Sequence, residues 1–277
     1  MKLLITGASS YVGARIFFDL QKAYSLTGTY FQNQLSQNFI QLNLTDIKDT
    51  EKTILEMKPD NIIHVANYPS QRNAVNNEES FAELNKKSTE YIINAANKIG
   101  AKVIFISSLA AEHPSDIYGK LKKESEELVK TVTAGYLILR CSLIVGFSPN
   151  IQNDRPFNRI LKCIKDKTKQ AEFDISWKLQ PCYIGHISQI IDQTIQNNLW
   201  NKTVPVFINE VVTQYQIAKD ILTHFNIPVE KVDKHMNIPL AENNHSQLVP
   251  YNLEPKSYIE MVSVIIDEID LRKKFII

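Results

Sequence analysis

The chain has little glycine, 8 residues in 277, where average usage near 7% would give about 19. That scarcity excludes collagen-like and glycine-rich low-complexity chains. Cysteine is as sparse: Cys141, Cys163 and Cys182 lie far apart and form no CxxC pair. A disulfide framework and a zinc knuckle are excluded, and a reducing cytoplasm fits best. Neither sign of charge dominates, with 31 basic against 30 acidic residues and a formal charge of +1. The electrostatic case for nucleic acid or an anionic membrane is thereby removed. No window approaches the roughly 18 unbroken apolar residues of a membrane span, and the apolar run after Lys2 stops at Thr6, too short for a signal peptide. Six histidines make no HxH or HxxxH pattern, so no metal site is expected. These absences leave a soluble, cytoplasmic protein that acts on a small molecule.

What is present is rhythm. Short apolar runs alternate with amphipathic stretches through the first half, which predicts strands at residues 3–5, 26–31, 39–42, 61–65, 102–106 and 136–139. Helices are predicted between them at 11–22, 46–57, 80–99, capped by Gly100, and 118–132. Strands apolar on both faces and separated by helices mean an α/β fold, a doubly wound parallel sheet. After about residue 147 the rhythm loosens, with helices predicted at 155–167, 186–199, 213–225 and 257–271 and a short strand at 204–208. The reading is a Rossmann-type domain over 1–147 and a smaller, substrate-binding lobe with interleaved segments over 148–277.

The first strand runs into Thr6-Gly7-Ala8-Ser9-Ser10-Tyr11-Val12-Gly13. A phosphate-binding turn needs glycine where the chain turns tightly and again where the helix packs close to the strand, with the helix N-terminus facing a pyrophosphate. Gly7 and Gly13 meet those two needs. The middle position is Ser10, whose hydroxyl offers a phosphate a hydrogen bond where glycine would offer closer approach. A lone two-glycine turn is weak evidence, and its place directly after the first strand of a doubly wound pattern is what favours dinucleotide binding. Gly7, Ser9, Ser10, Tyr11, Val12 and Gly13 are the candidate cofactor-binding residues of this turn.

Ser107 and Ser108 end the fifth strand, and the next helix begins Tyr118-Gly119-Lys120-Leu121-Lys122. Residues four apart share a helix face. A lysine charge 5 to 6 Å from a phenol is worth roughly 3 kcal/mol at an effective dielectric near 20, about two units off a tyrosine pKa near 10. Such a phenol would approach the range of a general acid. Among 11 tyrosines the spacing occurs by accident about once, and Tyr215 with Lys219 repeats it. Context separates the two pairs, because only Tyr118 follows a strand ending in serines within the α/β half.

The segments MKLLITGASSYVG, LNLTDIKD, KPDNIIHVANYP, LNKKSTEYIINAANKIGAKVIFISS, YGKLKKESEE, LILRCSLIVG and QPCYIGHIS together resemble the extended short-chain dehydrogenase/reductase family, in its dTDP-4-dehydrorhamnose reductase-like group. The resemblance covers roughly residues 1–190. It implies an NAD(P)-dependent reductase in which Ser108 bonds the substrate carbonyl, Tyr118 donates the proton and Lys122 holds the ribose and lowers the tyrosine pKa. It further implies that Asn43 and Leu44 meet the adenine, that Val65, Ala66 and Asn67 run past a cofactor ribose, and that Asn85 and Ser107 support the site. Tyr183 and His186 lie in a segment where relatives place residues near the substrate, a structural cap being the alternative for His186, and Tyr68, just after the fourth strand, either lines the pocket or packs a loop. Homodimers pairing through the helices at 80–99 and 118–132 are implied as well.

The second strand ends Tyr30-Phe31-Gln32-Asn33. No carboxylate stands there to repel a 2′-phosphate, and Phe31 is the candidate contact. NADP is therefore favoured modestly over NAD, with Arg15 a further possible contact. Leu109-Ala110 replaces the acid that rhamnose-pathway reductases and sugar-nucleotide dehydratases have after the serine position, and only ten residues separate Ser108 from Tyr118. A carbonyl reductase of nucleotide-linked sugars is the leading reading. The alternatives are a non-catalytic, cofactor-binding regulatory subunit and a nucleotide-sugar epimerase. Lys162, Lys165, Lys167 and Lys169 read as a solvated face, and Glu124, Glu126 and Glu127 as ordinary helix-surface charge.

Overall fold

The computed structural model describes residues 1–67, 82–236, 240 and 245–276. Seven strands build the central sheet: β1 (Lys2–Thr6), β2 (Ser25–Tyr30), β3 (Phe39–Gln41), β4 (Asn61–His64), β5 (Lys102–Ser108), β6 (Tyr136–Cys141) and, after β7 (Ala171–Asp174) in the second lobe, β8 (Lys202–Val206). Every pair is parallel, in the order β8-β6-β5-β4-β1-β2-β3. The order reverses at β1, which lies between β4 and β2. Ligand crevices form outside the carboxyl ends of strands at such a point.

Alternation along the strands assigns the two faces. Leu3, Ile5, Ile63, Ile104 and Leu139 point one way. Leu4, Ile62, Val103, Phe105 and Ile138 point the other. The first face is covered by α1 (Tyr11–Leu20) through Ile16 and Leu20. The second is covered by α2 (Ile47–Met57), α3 (Ser88–Ile99) and α4 (Ile117–Val129) through Ile54, Ile92, Ala96 and Val129. Gly100 caps α3 as predicted, at φ +70° with its N–H on the Ala96 carbonyl. A π-turn at Glu83–Lys87 precedes α3.

The smaller lobe has its own core, in which Phe157 and Leu161 of α5 (Pro156–Lys165) meet Ile217 and Ile221 of α7 (Gln214–His224) and Met261 and Ile265 of α8 (Tyr258–Ile276). A parallel pair, β7 with β9 (Val229–Val232), lies beside it. Between α5 and α7 the chain returns to the sheet. There α6 (Ile184–Asn197) buries Ile187, Ile190 and Ile191 in the core beneath α1, and β8 pairs with β6. Residues 184–206 thus serve the nucleotide-fold layer although they follow residue 147, because the outer edge of β6 would otherwise be unpaired.

Among the described residues no helix is long and apolar enough to cross a membrane. Nor does any group of three or more His, Cys, Asp and Glu among them have the geometry to hold a metal ion.

Candidate active site

The turn after β1 is built by close approach. Gly7 has φ +69°, and a Cβ there would lie 2.9 Å from the Ala66 Cα. A Cβ on Gly13 would strike the Gly7 carbonyl oxygen, so both positions need glycine, one for conformation and one for packing. Ser10 is the N-cap of α1, its Oγ accepting the Gly13 N–H at 3.0 Å. The cap uses an acceptor and leaves the serine O–H to donate. The Ser9 carbonyl accepts from Asn150 Nδ2 at 2.7 Å, and the Tyr11 carbonyl from Ser148 Oγ at 2.6 Å. The Tyr11 ring leaves the turn for the second lobe's core, where its hydroxyl donates to the Gly146 carbonyl and burial raises its pKa well above the ordinary phenol range. Val12 packs partly buried between the two cores.

Around this turn Val65 is buried and Ala66 and Asn67 are half-buried at the end of β4. Phe31 is 55% exposed after β2. Asn43 is exposed and accepts from Thr45 N–H and Oγ1, whereas the Leu44 side chain is packed into the core under α2 and α3. Tyr68 lies outside the described residues. Arg15 is neither a phosphate contact nor solvent-facing. Its guanidinium, on a residue 5% exposed, bonds the Phe147 carbonyl at 2.7 Å, Asp19 at 2.8 Å and Glu268 of α8 at 2.7 Å. Tyr183 joins that cluster, its ring buried and its hydroxyl 3.1 Å from Glu268 Oε1, which puts it between α1 and α8 rather than on a substrate wall. His186 is buried too, with Nε2 2.8 Å from the Pro255 carbonyl.

The serine, tyrosine and lysine do converge. Ser108 ends β5 close enough to the Tyr118 hydroxyl to pull its pKa down. Asp116 caps α4 through the Gly119 N–H at 2.7 Å. Gly119 lets the helix start press onto the turn at Leu109–Ala111, since a Cβ there would be 2.5 Å from the Ala110 carbonyl oxygen. Lys122 is buried, donates to the Ile106 carbonyl at 2.9 Å, and holds its Nζ 6.0 Å from the Tyr118 ring centre and 4.6 Å from that of Phe105.

The electrostatics differ from the expected lowering by lysine. Burial raises the Tyr118 pKa, and the groups that pull it back are the Ser108 hydroxyl and the Arg155 guanidinium. Lys122 is itself pulled down to about 8 by burial. An ammonium turned to a backbone carbonyl and short of its own hydration is a weaker neighbour than the 5 to 6 Å estimate assumes. Arg155, at the N-terminus of α5, therefore belongs to the site although no sequence pattern marked it.

Beneath the trio lies a buried polar layer. His64 stands 2.7 Å from Thr6 Oγ1 and 3.1 Å from Thr89 Oγ1, kept neutral by burial and by Lys122, its pKa near 3. Within the π-turn, the Asn85 carbonyl accepts from Thr89 Oγ1 at 3.2 Å and from Ser125 Oγ at 2.7 Å. Ser107 donates its hydroxyl to Glu126 at 2.5 Å, so that O–H is already committed and cannot also be given to a ligand. Glu126 is wholly buried, which overturns its reading as surface charge.

Beside α5 a cavity of about 340 Å³ is lined by Pro156, Arg159, Lys162, Phe173 and Lys234, among others. Lys162 lines its rim and, like Lys165, Lys167 and Lys169, is exposed, as a solvated face would be. No member of the trio lines it.

A family model described as the RmlD substrate binding domain matches residues 1–263. The chain belongs to that family. RmlD-type relatives include the dTDP-4-dehydrorhamnose reductase of Aggregatibacter actinomycetemcomitans, 29% identical over 52% of this chain and 52% of its own length. Methionine adenosyltransferase 2 subunit beta of Bos taurus is 23% identical over 82% of this chain and 73% of its own length. Among solved structures, dTDP-4-dehydrorhamnose reductase of Bacillus anthracis in complex with NADP superposes with a TM-score of 0.78 at 20% identity, covering 96% of this chain and 98% of that one. UDP-glucose 4-epimerase of Thermotoga maritima, with UDP-glucose, gives 0.80 at 17% identity, covering 99% of each. The seven-stranded parallel sheet with its flanking helices is the architecture of these reductases and epimerases.

Proposed function

We propose that this RmlD-type protein is an NAD(P)-dependent oxidoreductase that reduces a carbonyl, the keto group of a nucleotide-linked sugar, with Tyr118 as the acid. The observation that supports the reading is the meeting of Ser108, Tyr118 and Lys122 at the carboxyl edge of β5, with only β4 between it and the strand that carries the glycine turn.

The residues present fit the cofactor. Gly7 and Gly13 leave a cradle that a Cβ would fill, α1 points its N-terminus at it, and Ser10 has an O–H to give a phosphate. When bound, the nicotinamide supplies hydride to the carbonyl carbon. Ser108 would hold the carbonyl oxygen, Tyr118 would pass its proton to that oxygen, and Lys122 and Arg155 would stabilise the phenolate left behind. The neutral end of β2 favours NADPH over NADH modestly.

Tyr118→Phe is expected to cut turnover of dTDP-4-dehydrorhamnose, followed as NADPH absorbance at 340 nm, by about 10² to 10⁴-fold while NADPH affinity stays within a factor of three. Turnover that survives the substitution removes Tyr118 from the mechanism.

A second reading rests on the relatives named as a subunit of methionine adenosyltransferase 2, which cover more of this chain than the reductase relative does. In that reading the fold binds a cofactor without turning it over. NADPH binding with no consumption on any nucleotide-linked keto sugar supports it. Interconversion of sugars with no net consumption supports an epimerase instead.

A further inference from the structure

Glu126 lies four residues beyond Lys122 and eight beyond Tyr118, so all three share one face of α4. Three elements meet on its buried carboxylate. Ser107 Oγ of β5 donates to Oε1 at 2.5 Å. Arg140 of β6 sets Nε 3.1 Å from both oxygens and Nη2 2.8 Å from Oε2. Arg140 Nη1 also stands 3.5 Å from Glu112, at the end of the turn that follows Ser108. Thus α4 carries Tyr118 and Lys122, β5 ends in Ser108, β6 pairs Cys141 with Ser108, and one carboxylate ties them together. Burying an ion costs several kcal/mol before pairing offsets it, and an apolar side chain of similar volume would fill the space at less cost. Packing alone does not account for an acid there.

We propose that Glu126 is a positioning residue of the active site: it fixes the end of β5 so that Ser108 meets Tyr118, and its charge keeps Lys122 protonated. The groups around Lys122 are His64 from β4, the Ile106 carbonyl from β5, Cys141 from β6 and, on α4 itself, Tyr118 and Glu126. From the side of α3, the Asn85 carbonyl meets α4 at Ser125. Among these, Cys141 and then Glu126 favour the ammonium against burial, and Glu126 is the carboxylate of the two. The charge half of the inference rests on the reading above, in which Lys122 holds a cofactor ribose. The positioning half stands without it.

Glu126→Gln keeps the shape and one accepting oxygen but removes the charge, Glu126→Ala removes both, and Glu127→Gln on the exposed neighbour is the control. Crystal structures of the ligand-free proteins decide the positioning. Ser108 Oγ is expected to stay beside the Tyr118 hydroxyl in the Gln variant and to move away from it in the Ala variant, and its retention in the Ala variant overturns the role. Should Glu126→Ala not fold, Ser107→Ala, which cuts only the tie to β5, is judged by the same criterion.

NADPH titrations from pH 6 to 9 decide the charge. Wild-type affinity is expected to fall above about pH 8, and that of Glu126→Gln about one unit lower, making binding about fivefold weaker at pH 8 and about tenfold weaker at pH 9. Glu127→Gln should follow the wild type. A Gln variant whose pH curve overlays the wild type overturns the charge role. A wild type that binds no NADPH overturns the cofactor reading instead, and the crystal comparison then decides alone.

Discussion

At Gly13 a single methyl group decides the nucleotide turn, because it would have to occupy the place of the Gly7 carbonyl oxygen. Backbone cannot swing aside as a flexible side chain can, so Gly13→Ala must push α1 away from β1. The expected cost is about 1 to 3 kcal/mol in urea unfolding, with at least about tenfold weaker NADPH binding by titration calorimetry. Undiminished NADPH binding would mean that the turn does not hold the pyrophosphate. His64 carries a different kind of prediction. Its pKa, and that of buried His186, fall from 6.5 to about 3 and about 4. Both are neutral when folded, whereas the unfolded chain takes up their protons below pH 6.5. Stability is therefore full above pH 6.5 and falls as pH drops towards 4, by up to about 1 kcal/mol per pH unit for each histidine. Urea midpoints measured across that range, with His64→Gln to remove one contribution, check it.

Whole elements were more legible in the sequence than single side chains. The strand, glycine turn and helix at residues 2–20 could be read because tight turning and close packing each demand glycine, and nothing else satisfies either demand as well. Tyr118 and Lys122 could be read because a helix repeats every four residues. The same spacing reaches Glu126, but a run written Glu124-Ser125-Glu126-Glu127 looks like solvated charge unless Arg140 is already known to lie opposite. Tertiary pairing of that kind leaves no local trace. The side chains of Tyr11 and Tyr183 could not be placed from sequence for a related reason. A tyrosine beside a functional loop reads as a ligand contact, while its apolar ring is equally suited to a core with one polar partner at the end. The sign of the Tyr118 shift was out of reach as well, since it depends on how deeply the phenol and its lysine are set in protein.

At the scale of the molecule, the outward faces of α3 and α4 bear on assembly. They present Glu90, Asn94, Lys98, Lys120, Lys123 and Glu127 to solvent, so copies joined through them would be held by charge more than by apolar area. The second lobe is tied to the first through Arg15, which bonds Asp19, Glu268 and the Phe147 carbonyl at once. Removing Glu268 leaves Asp19 as the acid still paired with Arg15 but strips the guanidinium of its partner on α8. Glu268→Ala is therefore expected to cost about 1 to 3 kcal/mol and to lower the thermal midpoint beyond the change in Glu127→Gln. A midpoint shift no larger than that control's would mean that solvent, rather than α8, balances Arg15.

That same tie spans 253 positions of the chain. A ribosome makes the glycine turn long before α8, yet the arginine two residues beyond it has no acid from α8 to receive it until residue 268 has emerged. The site is drafted early in this stretch of translation and sealed late, so a product cut short before α8 would carry every residue proposed for catalysis and still be left with an unfinished α1.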